Sequence, residues 1–197
     1  MEQLLGSSNL YKCYKNKRFQ KTTVQDTFQN KQLVMLYFGA AWMPSCQKFA
    51  RVLSDAYRIM KTNSNGNSDC ECVYVSADRT LQEFKTAMMN LPFCALEAGT
   101  SEAKNHLARS FHVMELPAVV VLDAATGGAV TATPTHGVEE LCAAMKPPNS
   151  NTAKVLSQRM HKLVDQWKRT KPVPFSSVKA DPEQMNRPGA GYIHWYY

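Results

Sequence analysis

The sequence lacks the features that would assign the chain to several large classes of protein. No apolar run reaches the roughly 18 residues that a helix needs to cross a bilayer. The six cysteines have the spacing of neither a disulfide framework nor a zinc site, and no glycine-rich phosphate-binding loop is present. No Asn-x-Ser/Thr sequon occurs. These absences predict a protein of a reducing compartment that has no membrane span, no metal site and no cofactor.

The central part of the chain also has little net charge. Residues 31–150 carry a net charge of −1, whereas residues 1–30 carry +3 and residues 151–197 carry +5. The basic character therefore belongs to the two ends, which predicts that they contact an acidic surface such as a protein lattice, RNA or a lipid face. The alternative is that both ends are merely solvated. The N-terminal residues predicted to bind the partner are Lys12, Lys15, Lys17 and Arg18.

The N-terminal segment gives only weak information about the kind of partner and the cellular compartment. Aromatic residues alternate with its cations, a pattern that suits RNA as well as an acidic protein, but no RNA-binding motif is present. Residues 1–8 lack the basic start and the long apolar stretch of a secretory signal. Residues 12–21 are basic and acid-poor like a mitochondrial presequence, although lysine outnumbers arginine there. We therefore expect a cytoplasmic or cytoskeletal protein, with the mitochondrion as the alternative.

The most informative stretch is Trp42-Met43-Pro44-Ser45-Cys46. It follows an almost wholly apolar run, residues 33–38, of the kind that forms a strand buried on both faces. After Pro44, apolar residues recur at helical spacing, which places the cysteine in the first turn of a helix. The helical residues are Phe49, Leu53, Ala56, Tyr57 and Met60. The sequence thus predicts a strand, a tight turn and a helix that starts at the motif.

Residues 25–146 resemble the thioredoxin superfamily, and most closely its tryparedoxin and nucleoredoxin branch. The resemblance lies in residues 34–49, 72–84, 90–93 and 101–123, which contain the family's strands, motif and Ile-Pro-type turn in order. It implies an α/β, thioredoxin-like fold in which a central mixed sheet is flanked by helices, with N- and C-terminal extensions. It also implies that the Leu116-Pro117 bond is cis and faces the motif, beside Met43.

The chain departs from the family at the first motif cysteine, where it has Met43. In the family that cysteine attacks a substrate disulfide, and the second cysteine resolves the mixed disulfide. Because a thioether can do neither, we predict no catalytic residue and a protein that is not an enzyme. Trp42, Met43, Pro44, Ser45, Cys46 and Pro117 are then a vestigial redox site. The alternative is a monothiol oxidoreductase that uses Cys46, which we expect to be buried.

The C-terminal part divides into two pieces. After a Pro- and Asn-rich break, apolar residues at helical spacing predict an amphipathic helix that runs to about Arg169. Residues 171–197 contain four prolines and two glycines, which is too broken for regular structure. Its end is rich in aromatic side chains, which gain from burial in a groove. We predict that these residues dock on a partner: Tyr192, Trp195, Tyr196 and Tyr197.

These features predict four segments: a basic extension (1–24), a thioredoxin-like domain (25–146), a linker and helix (147–170) and an aromatic tail (171–197). They favour a redox-inactive structural subunit of a large assembly. An acidic microtubule lattice, as in a ciliary or flagellar axoneme, is the preferred partner. A mitochondrial ribosome or respiratory complex is the second choice, and the monothiol oxidoreductase is the third.

Overall fold

A computed structural model describes residues 2–5, 9–14, 18–63, 68–98, 101–147, 152–174 and 177. Helices and strands alternate through most of this part of the chain. The helices are α1 (Glu2–Leu5), α2 (Val24–Phe28), α3 (Pro44–Asn63), α4 (Leu81–Met88), α5 (Ser101–Ser110), α6 (Pro134–Met145) and α7 (Thr152–Arg169). The strands are β1 (Leu10–Cys13), β2 (Phe19–Thr22), β3 (Leu33–Gly39), β4 (Cys70–Ser76), β5 (Cys94–Leu96) and β6 (Ala118–Asp123).

In the described residues these strands form one sheet in the order β2-β1-β5-β4-β3-β6. The central pairs β3–β4 and β4–β5 are parallel, whereas β6 and the β1–β2 hairpin pair antiparallel with their neighbours. The predicted mixed sheet is therefore confirmed. Every residue of β3 and of β4 is buried, as expected for strands that have helices on both faces.

Alternate residues of the sheet supply two hydrophobic cores, because successive side chains of a strand point to opposite faces. One face, which includes Met35 and Tyr37, packs against α3, α4, α6 and α7. The other, which includes Leu36 and Phe38, packs against α1, α2 and α5. The apolar positions predicted for the helix after the motif, from Phe49 to Met60, lie in the first core.

Local signals in the sequence explain where several helices begin. Thr80 caps α4 by accepting a hydrogen bond from the Glu83 amide, and the Glu83 side chain accepts from the Thr80 amide in return. At the start of α6, Thr133 accepts from the His136 amide, and Pro134 occupies the first helical position. These caps hold α4 and α6 where their apolar faces meet the sheet.

The helix predicted after residue 151 is α7, and it lies on α3 and α6. Met160, Leu163 and Trp167 are buried, and the Trp167 indole donates a 2.8 Å hydrogen bond to Glu140. The chain then pairs with the turn after β6, because Ala129 and Val173 exchange backbone hydrogen bonds of 2.7 and 2.9 Å. None of the described helices is long and apolar enough to span a membrane.

Candidate active site

The motif lies where the carboxyl ends of two parallel strands meet. The register pairs Gly39 of β3 with Ser76 of β4, so the residues that follow the two strands are neighbours. Trp42 and Cys46 come from the first of these connections, and Asp78 and Arg79 come from the second. This edge of a parallel sheet is the usual position of a functional site in α/β proteins.

The Trp42 side chain is 38% exposed and forms the outer surface of the motif. Its indole N–H donates to the carbonyl of Ala77 at 3.4 Å, and the Arg79 guanidinium lies 4.1 Å from the ring centroid. A cation at that distance attracts the face of an indole ring. The motif therefore presents an exposed Trp–Arg stack beside the half-buried Met43.

Asp78 holds the turn that carries Trp42 in place. Its buried carboxylate accepts hydrogen bonds from the Ala41 amide, from the Ser76 hydroxyl at 2.7 Å and from the Tyr74 hydroxyl at 2.9 Å. Lys104 of α5 is also buried, and burial lowers its pKa while the attraction of Asp78 raises it. The turn that carries Trp42 is thus fixed by a buried carboxylate with a buried cation nearby.

Cys46 is 1% exposed and sits in the first turn of α3. Burial raises the pKa of its thiol, and the charge of Asp78 acts in the same direction. Hydrogen bonds from the Ala40 backbone and from the Ser45 and Tyr37 side chains act in the opposite direction. The Tyr37 hydroxyl also lies 3.1 Å from the Cys46 carbonyl. The expected burial of Cys46 is confirmed.

Pro117 stands at the start of β6, and its bond to Leu116 is cis, as the resemblance implies. The next residue, Ala118, pairs with Phe38. This register places Pro117 at the end of β3 that leads into the motif.

The predicted partner-binding residues lie far from this site or outside the described residues. Lys12 is half-buried in β1, and Arg18 is exposed just before β2. The other six, Lys15, Lys17, Tyr192, Trp195, Tyr196 and Tyr197, lie outside the described residues, so their roles stay predictions. In the described part of the chain, no group of three or more His, Cys, Asp or Glu side chains has the arrangement of a metal site.

Sequence reasoning did not identify Tyr37, Asp78, Arg79 and Lys104 as parts of the site. A usable signal was present for two of them. Asp78 and Arg79 directly follow a buried strand that runs parallel to the strand before the motif, and such positions converge at one sheet edge. Tyr37 and Lys104 have no comparable signal. Tyr37 lies within an apolar strand and Lys104 within an amphipathic helix, where each fits the pattern of its element.

Residues 30–128 match the family model described as thioredoxin-like. Mouse nucleoredoxin is 32% identical over 90 residues, which cover 46% of this chain and 20% of that protein. Probable nucleoredoxin 3 from rice (Oryza sativa subsp. japonica) is 30% identical over 102 residues, 52% of this chain and 21% of that protein. Native tryparedoxin I from Crithidia fasciculata superposes with a TM-score of 0.58 at 26% identity, covering 69% of this chain and 87% of that one.

These similarities correct one prediction and leave others without support. The prediction that the chain is not an enzyme is wrong, because the proteins that it resembles are nucleoredoxins and tryparedoxins, which are redox enzymes. Nothing supports the microtubule, ciliary or other structural role, and the oxidoreductase alternative is more consistent with the relatives. The matched segment spans only about a fifth of each nucleoredoxin.

Proposed function

Because this chain belongs to the thioredoxin-like family, we propose that it is a thiol–disulfide oxidoreductase that works with a single motif cysteine, Cys46. Met43 removes the attacking sulfur of a two-cysteine mechanism, so Cys46 must both form and release the mixed disulfide. The relatives support the reaction class, and the sequence of the motif limits it to one thiol.

The position of Cys46, in the first turn of α3 and at the carboxyl end of the parallel strands, carries this proposal. Burial raises the pKa of the Cys46 thiol, and polar contacts with Ala40, Ser45 and Tyr37 offset part of that increase. The thiolate is the reacting form. The start of α3 adds unpaired backbone N–H groups and the positive end of the helix dipole.

The exchange proceeds in two balanced steps. The Cys46 thiolate attacks one sulfur of a substrate disulfide, which forms a Cys46 mixed disulfide and expels the other half as a thiolate. A small thiol in solution then attacks the mixed disulfide as its thiolate. This step regenerates the Cys46 thiolate and yields a new disulfide, so the small thiol is the reductant and the substrate disulfide is the oxidant.

Turnover of hydroxyethyl disulfide in the presence of excess dithiothreitol tests the proposal. We expect a catalysed rate that Cys46→Ser abolishes. Cys142→Ser, which removes an exposed thiol on α6, is the matched control and should leave the rate unchanged. A catalysed rate that survives Cys46→Ser, or no rate above the uncatalysed reaction in the unmutated chain, would contradict the proposal.

The raised thiol pKa gives the proposal a pH dependence. Burial disfavours the Cys46 thiolate, so only a small fraction of the thiol is ionised at neutral pH. We expect the rate of Cys46 alkylation to increase with pH and to reach half of its maximum above the ordinary cysteine pKa of about 8.5. Stopped-flow alkylation from pH 7 to 10 measures the profile, and a midpoint near pH 7 would contradict the structure.

Partner and localisation assignments remain separate proposals. The basic N-terminal residues still favour an acidic partner, and the aromatic C-terminal residues still favour docking in a groove. Neither feature depends on the chemistry of Cys46. Deletion of residues 175–197, followed by measurement of the size at which the protein fractionates from a gentle lysate, tests the docking role independently of redox activity.

A further inference from the structure

A cavity of about 590 Å³ lies between α3 and α4. Tyr37 and Tyr74 of the sheet contribute to it. Cys46, Ala50, Ser54 and Arg58 line it from α3 at intervals of four residues, so they form one stripe of that helix. The α4 side is formed by Thr86, Ala87, Asn90 and Leu91.

The cavity is an elongated groove that begins at the motif thiol. Twelve residues separate Cys46 from Arg58, and at 1.5 Å per residue the stripe extends for about 18 Å. Volumes between about 300 and 1,000 Å³ are typical of small-molecule sites. A molecule in this groove would reach Cys46 without passing Met43.

Ser54 gives an independent sign that the groove holds a ligand. Ser54 is only 4% exposed and lines the cavity. Its hydroxyl makes no hydrogen bond with any described residue. A buried hydroxyl without a partner destabilises the folded protein, and such groups are rare. A polar group in the groove would satisfy this hydroxyl.

Arg51 gives the groove a positive charge that other side chains do not neutralise. Arg58 forms a 2.8 Å ion pair with Asp55, which cancels both charges at the far end. Arg51 has no ion pair within the described part of the chain, and it lies five residues, or about 7.5 Å along the helix, from Cys46. An anionic group carried a few bonds from a sulfur atom would therefore meet Arg51.

Building on the proposed function, we propose that this groove binds an anionic disulfide of low molecular mass, up to the length of a short peptide, and presents its sulfur to Cys46. The Arg51 guanidinium pairs with a carboxylate of the ligand, and the Ser54 hydroxyl bonds to a polar group farther along a longer ligand. The groove thereby selects small acidic disulfides over neutral or cationic ones.

Three small disulfides of similar size and different charge test the selectivity: dithiodipropionate, hydroxyethyl disulfide and cystamine. Formation of the Cys46 adduct is followed by mass spectrometry with peptide mapping. We expect Arg51→Gln to slow the reaction with dithiodipropionate about three- to fivefold, to leave hydroxyethyl disulfide unchanged and to accelerate the reaction with cystamine. Lys48→Gln is the matched control, because it removes an exposed cation of α3 that does not line the groove.

The length of the ligand is tested with glutathione disulfide, which is long enough to extend past Arg51. We expect Ser54→Ala to slow adduct formation with glutathione disulfide several-fold and to leave the rate with hydroxyethyl disulfide unchanged. The thermal melting temperature of Ser54→Ala should hold or rise, since the variant removes an unsatisfied hydroxyl. A merely structural role of Ser54 would change both rates together with the melting temperature.

The outcomes separate the two proposals. Suppose that all three small disulfides form the Cys46 adduct, and that the rates do not respond to Arg51→Gln or respond equally to Lys48→Gln. This result would overturn the groove proposal and leave the proposed function intact. The absence of a Cys46 adduct with any disulfide would overturn both proposals. Unequal responses in the expected direction, with Ser54→Ala affecting only glutathione disulfide, would support the groove.

Discussion

The chain contains two regions with buried cysteines, and they differ in what surrounds the sulfur. Cys46 is 1% exposed in the motif, while Cys70, Cys72 and Cys94 of the neighbouring strands are 0–4% exposed. Burial is the first cause of a raised thiol pKa in all four residues. Only Cys46 has hydrogen bonds among the causes that lower the pKa, and only Cys46 lines the groove between α3 and α4.

The proposed reacting thiol and the strand thiols are almost equally buried, so the exposed fraction does not distinguish them. The remaining influences on the pKa of the strand thiols are charges, among them Glu71 and Lys61. These thiols behave as small apolar residues of the core. The motif thiol differs from them in its place in the first turn of α3 and in the groove that it lines between α3 and α4.

The largest expected difference between the two regions is in the labelling of the native protein. We expect N-ethylmaleimide to modify Cys46 more than about 1,000-fold faster than Cys70 or Cys72, because strand thiols become accessible only when the sheet opens. Time-resolved labelling with peptide mapping measures all six cysteines at once, and the exposed Cys142 calibrates the reagent. Equal rates at Cys46 and Cys72 would remove the distinction.

The next largest effect concerns stability at alkaline pH. Burial raises the pKa of Cys94 to about 11 and that of Cys70 to about 12. The folded protein thus holds these protons more tightly than the unfolded chain, and the resulting stabilisation is complete below the unfolded pKa of about 8.5. It is lost as the pH rises toward 11 and 12, at a cost of about 3 kcal/mol for Cys94 alone.

Urea unfolding at pH 8, 9.5 and 10.5 measures this loss. Cys94→Ala should be less stable at pH 8 because it leaves a small cavity, and its free energy of unfolding should fall less steeply with pH. Cys13→Ala, at a half-buried residue of β1, should keep the slope of the unmutated chain. Parallel slopes for Cys94→Ala and the unmutated chain would contradict the assignment of Cys94.

The smallest effect comes from a matched pair of tyrosine variants. Tyr37→Phe removes the 3.1 Å hydrogen bond to the Cys46 carbonyl and a polar group that lowers the pKa of the nearby thiol, so alkylation of Cys46 should slow about three- to tenfold at pH 8. Tyr57→Phe removes a 2.6 Å hydrogen bond to Glu71, beside the strand cysteines, and should leave that rate unchanged. Each variant should lose about 1 kcal/mol of stability. Slower alkylation of Cys46 in the Tyr57→Phe variant would mean that the two regions are coupled.

The fold was predictable because its signals are local and repeat in order. The apolar runs that became β3, β4 and β6 needed no knowledge of their partners, and the helical spacing after Pro44 predicted α3. The hairpin of β1 and β2 was not predicted. Its residues read as a basic segment, and their strand character comes from pairing with β5, a contact across more than 80 residues.

Only the site residues that belong to a recognisable sequence motif could be predicted. Trp42, Cys46 and Pro117 are recognisable from their neighbours in sequence, but the role of Asp78 depends on the Ala41 amide, 37 residues away. The groove depends on how α4 lies beside α3, which no local pattern encodes. The catalytic conclusion failed for a related reason. The replacement of one cysteine was given more weight than the cysteine that remains, and the monothiol reaction of Cys46 was kept only as an alternative.

The sheet order also sets the distance between the two edges of the sheet. The basic β1–β2 hairpin forms one edge of the sheet, and Val173, the last residue paired with the turn after β6, lies beyond the opposite edge. Five strand spacings of about 4.8 Å separate β2 from β6, which places the edges about 24 Å apart along the sheet. A partner that contacted both of these edges would have to extend across the full width of the sheet.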